Sequence, residues 1–238
     1  MNRRNQLLIL TGVAGIAAAA GFLIGHKNQP EALSPWIEIS TDSGNRFPLR
    51  TVMAQTTGRE VIALDLTNPS HQSISEAILT EAIKVSKELS RAESPAHEKR
   101  RINEVSALFE NALRLKIDAL PDFTCQIPST VQGKSQRSGY PDLRVEHLPS
   151  GTVAYLDPKL FEHDSMQSTL RTFYYEANRK NTKVTEDALH LLLGFPHDGN
   201  TTEWIFEIPK LVDLSRIDLK LKVEFSASNK DLYSAPGK

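Results

Sequence analysis

The stretch from Asp142 to Asp157 constrains the fold more than any other part of the chain, because it reads as two strands joined by one tight turn. Residues 142–148 alternate in polarity, Pro149, Ser150 and Gly151 are turn formers, and residues 152–157 are rich in β-branched and aromatic side chains. Side chains two apart on a strand share a face, so Asp157 and Lys159 point the same way. A loop of Pro149 and Ser150, or of the four residues 148–151, sets Asp142 directly opposite Asp157. Opposed side chains have Cβ atoms roughly 4.5–5.5 Å apart. A three-residue loop without a bulge would turn Asp142 to the other face.

Convergence of two carboxylates and a lysine has a chemical use. Crowded carboxylates repel, and the remedies are a raised pKa, a cationic neighbour or a bound divalent cation. Oxygen ligands on a rigid strand pair suit Mg²⁺, which takes one or two carboxylates and keeps several waters. Such an ion polarises a phosphoryl oxygen and generates hydroxide, while the lysine counters developing charge. The chemistry indicated is phosphodiester hydrolysis.

The run Pro141-Asp142, followed by Asp157-Pro158-Lys159, resembles the signature of the PD-(D/E)XK nuclease superfamily, which includes many restriction endonucleases and DNA-repair nucleases. The resemblance covers about residues 98–200. It implies a restriction-endonuclease-like core, Asp142 and Asp157 as metal ligands, Lys159 assisting the attacking water, Mg²⁺ (with Mn²⁺ as the alternative) as cofactor, and nucleic acid as partner. It also implies a glutamate on the helix before the hairpin. That helix is expected over Glu98–Leu120, where Phe109-Glu110 resembles the family's helix pattern. Ile102, Val105, Phe109 and Ala112 form its apolar stripe, with Glu104 and Glu110 flanking on opposite sides. Both glutamates stay open. Pro158 departs from the pattern: it has no N–H to give a ladder, and suits a strand end or edge.

The N-terminus carries the second signal. Arg3 and Arg4 precede Leu7–Gly25, an uncharged run long enough to cross a bilayer as a helix. The arginine pair predicts an N-inside orientation that exports the rest, leaving the domain outside the cytoplasm as an anchored protein. The alternative is a signal peptide cleaved near Ala17–Ala20. The expected organisation is a membrane anchor or signal peptide over 1–27, a tether and β-hairpin extension over 28–68, and a nuclease-like α/β domain over 69–238.

Within that domain the pattern Ser73-Ile74-Ser75-Glu76 reads as a capping box opening a helix to about Leu89. Strands are expected at Val61–Leu66, around Cys125, at Ser168–Glu176, His190–Phe195, Thr202–Pro209 and Ile217–Phe225, with helix signals near Thr185. Helices and strands in this order give an α+β or α/β fold, a mixed β-sheet flanked by helices. The lone Cys125 excludes an intrachain disulfide and a cysteine-based zinc cluster.

Lys134 and Arg137, in the polar loop before Asp142, and Arg171, in an expected strand, are the candidates for substrate contact. The formal net charge of −1 provides no global basic field to attract nucleic acid. Two functions from different classes follow. One is an exported or membrane-anchored metal-dependent nuclease using Asp142, Asp157, Lys159 and Glu104 or Glu110. The other is a non-enzymatic membrane-anchored envelope domain that binds a partner or ligand through the same face.

Overall fold

A computed structural model describes residues 46–169, 173–177, 180–222 and 226–233. The expected membrane segment, the first part of the extension and Arg171 lie outside these residues. Among the described residues no helix is long and apolar enough to cross a membrane. Residues 46–220 form one compact unit. The remaining described residues, which contain a short helix at Asn229–Tyr233, belong to a second.

The unit is built on a six-stranded mixed sheet. Its strands are β2 (Val61–Ile62), β3 (Phe123–Gln126), β4 (Leu143–His147), β5 (Thr152–Glu162), β6 (Ala188–His197) and β7 (Lys210–Asp213). The order is β2-β6-β5-β4-β3, and β7 pairs with β6 beyond β2's short contact. β5 and β6 run parallel, whereas β3, β4 and β5 are successively antiparallel. A separate two-stranded ladder joins β1 (Arg46–Pro48) to β8 (Asp218–Lys220).

Helices α1 (Leu49–Thr57), α2 (Pro69–Leu89) and α3 (Ile102–Asp118) complete the unit. The two long ones cover one sheet face. α3 buries Val105, Phe109, Leu113 and Ile117, one residue per turn, and α2 buries Ile74, Ile78, Ala82 and Val85. These pack on Leu143, Val145, Ala154, Leu156, Leu189, Leu191, Leu193 and Phe195, alternate residues of β4, β5 and β6. The other face carries a second cluster, in which Val153, Tyr155 and Ala188 meet Leu49, Met53 and Tyr140. Strand β6 is buried on both faces, as a parallel central strand must be, which explains its nearly continuous apolar run.

Several expected elements differ. Helix α2 starts at Pro69 rather than at the Ser73 capping box, because Asn68 Oδ1 accepts from the Ser70 and His71 N–H groups and proline follows at the first helical position. Residues 49–57, within the expected β-hairpin extension, are helical, since Leu49 and Met53 bury a four-residue period. The strand expected at Val61–Leu66 shortens to β2. Residues 173–177 are not strand: Phe173 and Tyr175 pack edge-on against Tyr140, while Tyr174 is 50% exposed. The helix signals near Thr185 give no helix, and the chain enters β6 at Ala188.

Candidate active site

The β4–β5 hairpin has the four-residue loop 148–151, with Gly151 at φ 66° and its N–H bonded to the His147 carbonyl. Its register pairs Leu143 with Leu156. One position further along, Asp142 faces Asp157 just before β4 begins. β5 continues past that point to Glu162 with β6 on one side, and Pro158 lies in this one-sided stretch, where a residue without an N–H is tolerated.

The three expected residues meet. Lys159 Nζ lies 3.3 Å from Asp142 Oδ2 and 2.9 Å from Asp157 Oδ2. The contact to Asp142 is an aligned hydrogen bond. The one to Asp157 is a close ionic contact to a buried carboxylate oxygen. Burial pushes the Asp157 carboxyl up to about 7; the Lys159 ammonium opposes the rise and the Asp142 carboxylate adds to it. Burial works against the charge on Lys159, but the two carboxylates outweigh it and raise its pKa.

The two helix glutamates separate clearly. Glu104 is exposed in the first turn of α3, away from these groups. Glu110, half-buried, follows Phe109 and feels Asp142, Lys159, Arg137 and Lys183. Burial first, and Asp142 second, raise its pKa. Glu110, Asn111, Arg114, Arg137 and Asp142 line one recess at this end of the hairpin. Of the expected substrate-contact residues, Arg137 therefore stands at the site. Lys134 is exposed and lines no part of that recess.

Two contributors escaped the sequence reading. Lys183 is 2% exposed, and burial lowers its pKa while Asp142, Asp157 and Glu110 act in the opposite direction. Its flanking residues Thr182, Val184 and Thr185 were the available hint, since three β-branched neighbours suit a buried segment. The other is a pair beneath the carboxylates. Tyr140 OH and His190 Nδ1 are 2.7 Å apart in a buried position, and burial lowers His190 to about 4, so its ring is neutral. His190, His197 and His163 form no metal cluster. Among the described residues no group of three or more His, Cys, Asp or Glu side chains is arranged to hold an ion. Cys125 is buried, and its thiol is pushed up to about 12, first by burial and then by Asp118. Such a thiol is unreactive.

Comparison with known proteins meets this geometry. The model of the type II restriction enzyme MjaV family matches residues 41–236, most of the chain. The chain belongs to that family. A curated relative, the type II restriction enzyme MjaV of Methanocaldococcus jannaschii, is 27% identical over 199 residues, covering 79% of this chain and 85% of its own length. No solved structure matches the chain. The family match contains the whole hairpin, α3 and Lys183, and begins after the apolar run Leu7–Gly25.

Proposed function

We propose that this chain is a metal-dependent phosphodiester hydrolase that cuts DNA, with the Asp142–Asp157–Lys159 cluster as its centre. The observation that carries this reading is the convergence of the buried Asp157 with Asp142 on one Lys159 ammonium, at 2.9 and 3.3 Å. Two carboxylates crowded together in a buried position cost stability unless a cation relieves their repulsion. Membership of a restriction-enzyme family supports the same chemistry and supplies DNA as the substrate class.

The donor set fits Mg²⁺, with Mn²⁺ as the alternative. Asp142 and Asp157 would be its protein ligands, and water would fill the remaining positions, as Mg²⁺ prefers. Bound there, the ion would supply Lewis-acid polarisation of the phosphate and a more acidic water. The chain's own groups do the rest. Lys159 holds both carboxylates on one face, where its positive charge would assist an attacking water. Glu110, its pKa raised first by burial and then by Asp142, lines the recess with Asp142, where it would take up or release a proton. Arg137, on the recess, would contact the backbone of the substrate.

The apolar run Leu7–Gly25 favours a membrane location, either anchored with the domain outside the cytoplasm or exported after cleavage. It also keeps a second reading alive, a non-enzymatic envelope domain that uses the same face for binding. Cleavage of mixed-sequence duplex DNA by the full-length protein separates the two. Activity with Mg²⁺ or Mn²⁺, absent with EDTA and absent in a folded Asp157→Ala variant, supports the hydrolase. A wild-type protein that cuts nothing with either ion leaves the envelope domain.

A further inference from the structure

Inside the apolar strand β6 stands His190, with no exposed surface. Its Nδ1 shares a hydrogen bond of 2.7 Å with the hydroxyl of Tyr140, which is also buried. The two rings stack with centroids 5.7 Å apart, and Tyr155 meets the His190 ring edge-on at 5.2 Å. The sheet register places this group relative to the carboxylates. Tyr155 is the cross-strand partner of His190 in the parallel β5–β6 pair. Tyr155, Asp157 and Lys159 alternate along β5 and so share one face. Tyr140 lies two residues before Asp142, whose carboxylate meets Asp157 through Lys159. The hydrogen bond therefore ties the chain just before one carboxylate to the strand beside the other.

Packing alone does not require this bond. The Tyr140 ring is held by Phe173 and Tyr175, edge-on at 5.1 and 6.1 Å, and the Tyr175 hydroxyl is in turn bonded to Thr56 Oγ1 on α1 at 2.7 Å. A phenylalanine at 140 would keep those ring contacts, and a leucine at 190 would match its neighbours in β6. Replacing both partners of a buried hydrogen bond by apolar groups of similar shape can be nearly neutral. What the polar pair adds is direction. Apolar contact tolerates small shifts of a ring, whereas a 2.7 Å bond between buried groups fixes where the phenol end, and the chain that carries it, must lie. That chain leads straight into Asp142. The β4–β5 ladder starts only at Leu143, so Asp142 stands just outside the pairing that fixes the rest of the hairpin.

We propose that Tyr140 is a positioning residue for metal binding: anchored on His190, it holds Asp142 facing Asp157 so that both carboxylates bind one divalent cation. The proposal rests on the hydrolase reading and extends it from the carboxylates to the support behind them. Two like charges that must share one ion move apart when nothing restrains them. Lys159 draws them together, but an ammonium on a flexible stem sets no fixed spacing. Tyr140 touches neither the ion nor the substrate; it acts through Asp142. Groups that orient metal ligands in this way are worth roughly 10- to 100-fold in metal affinity or activity.

The test compares the full-length wild type with Tyr140→Phe, which keeps the ring and loses the hydroxyl, and with Val153→Ala, which thins the same apolar cluster and leaves the hydrogen bond in place. The double variant Tyr140→Phe/His190→Leu replaces both partners and carries the test if the single variant does not fold. Mg²⁺ and Mn²⁺ are titrated calorimetrically, unfolding midpoints are taken without metal, and cleavage of mixed-sequence duplex DNA is timed over a range of Mg²⁺. In Tyr140→Phe the metal dissociation constant should rise roughly 10- to 100-fold, and cleavage, slow at low Mg²⁺, should recover as the ion saturates. Val153→Ala should lower the midpoint and bind metal as the wild type does. A Tyr140→Phe protein that binds metal like the wild type, whatever its midpoint, overturns the proposal and leaves the hydrolase standing. Equal loss of metal affinity in Val153→Ala also overturns it, because loosened packing would then explain the effect. A wild type that binds neither ion removes the metal-dependent reading and the proposal with it.

Discussion

Lys159 Nζ stands 2.9 Å from the buried Asp157 Oδ2. The same ammonium donates to Asp142 Oδ2 at 3.3 Å. One ammonium is thus shared between two acids.

The first consequence concerns pH. Asp157 has a folded pKa of about 7 against an ordinary value of 3.8, so the folded state binds its proton more tightly than the unfolded chain. The stability this contributes is fully present below about pH 4 and is lost as pH rises through about 7. In EDTA, the stability of Asp157→Asn relative to wild type should therefore climb between those limits and level off above them. Urea denaturation at several pH values checks it, and taking the difference removes the opposite acid sensitivity of His190. At pH 8 the gain should be on the order of 1 kcal/mol or more.

Metal should reverse that penalty. Mg²⁺ or Mn²⁺ at about 100 times its dissociation constant should stabilise the wild type by roughly 2.7 kcal/mol. Asp142→Ala and Asp157→Ala should lose the effect. Calorimetric titration would show whether protons leave on binding, which they should near pH 6, since Asp157 must ionise to act as a ligand.

Lys159→Met removes the shared ammonium and leaves two carboxylates face to face. In EDTA at pH 8 it should unfold at a lower temperature than wild type, recovering at pH 5 or with added Mg²⁺. DNA cleavage should fall by roughly 100- to 1,000-fold even when the metal restores stability. Recovery of folding together with full activity would remove Lys159 from the chemistry.

Glu104 and Glu110 occupy the same helix and make opposite predictions. Glu110→Gln should slow cleavage by at least about 10-fold and alter its pH profile, because this side chain feels Asp142, Lys159 and Arg137. Glu104→Gln, at an exposed first-turn position, should cut at the wild-type rate and change stability by less than about 0.5 kcal/mol. Equal effects in the two variants would argue against a role for α3 in the site.

The segment Leu7–Gly25 should carry the full-length protein into the membrane fraction and hold it there through an alkaline wash. A shortened, soluble form in the exported fraction would indicate a cleaved signal instead. Recovery of the intact chain in the soluble cytoplasmic fraction would rule out both.

The hairpin was legible in the sequence because strand chemistry is local. A period of two and a four-residue loop decide which side chains share a face, so Asp142, Asp157 and Lys159 could be brought together without knowing any other part of the chain. The end of α2 at Leu89 was legible for the same reason, and its start was not, because Asn68 and Pro69 compete with the Ser73 pattern on equal local terms. Helical period alone put Glu104 and Glu110 level. Only the packing of Phe109 and Leu113 onto the sheet turned Glu110 inward and left Glu104 in solvent. Lys183 lies 24 residues beyond Lys159, and its burial depends on bonds from β4, β5 and two loops. Such a position has no local signature, because long-range closure creates it. The same holds for β1 with β8 and for β5 with β6, whose partners meet only after the intervening chain has folded.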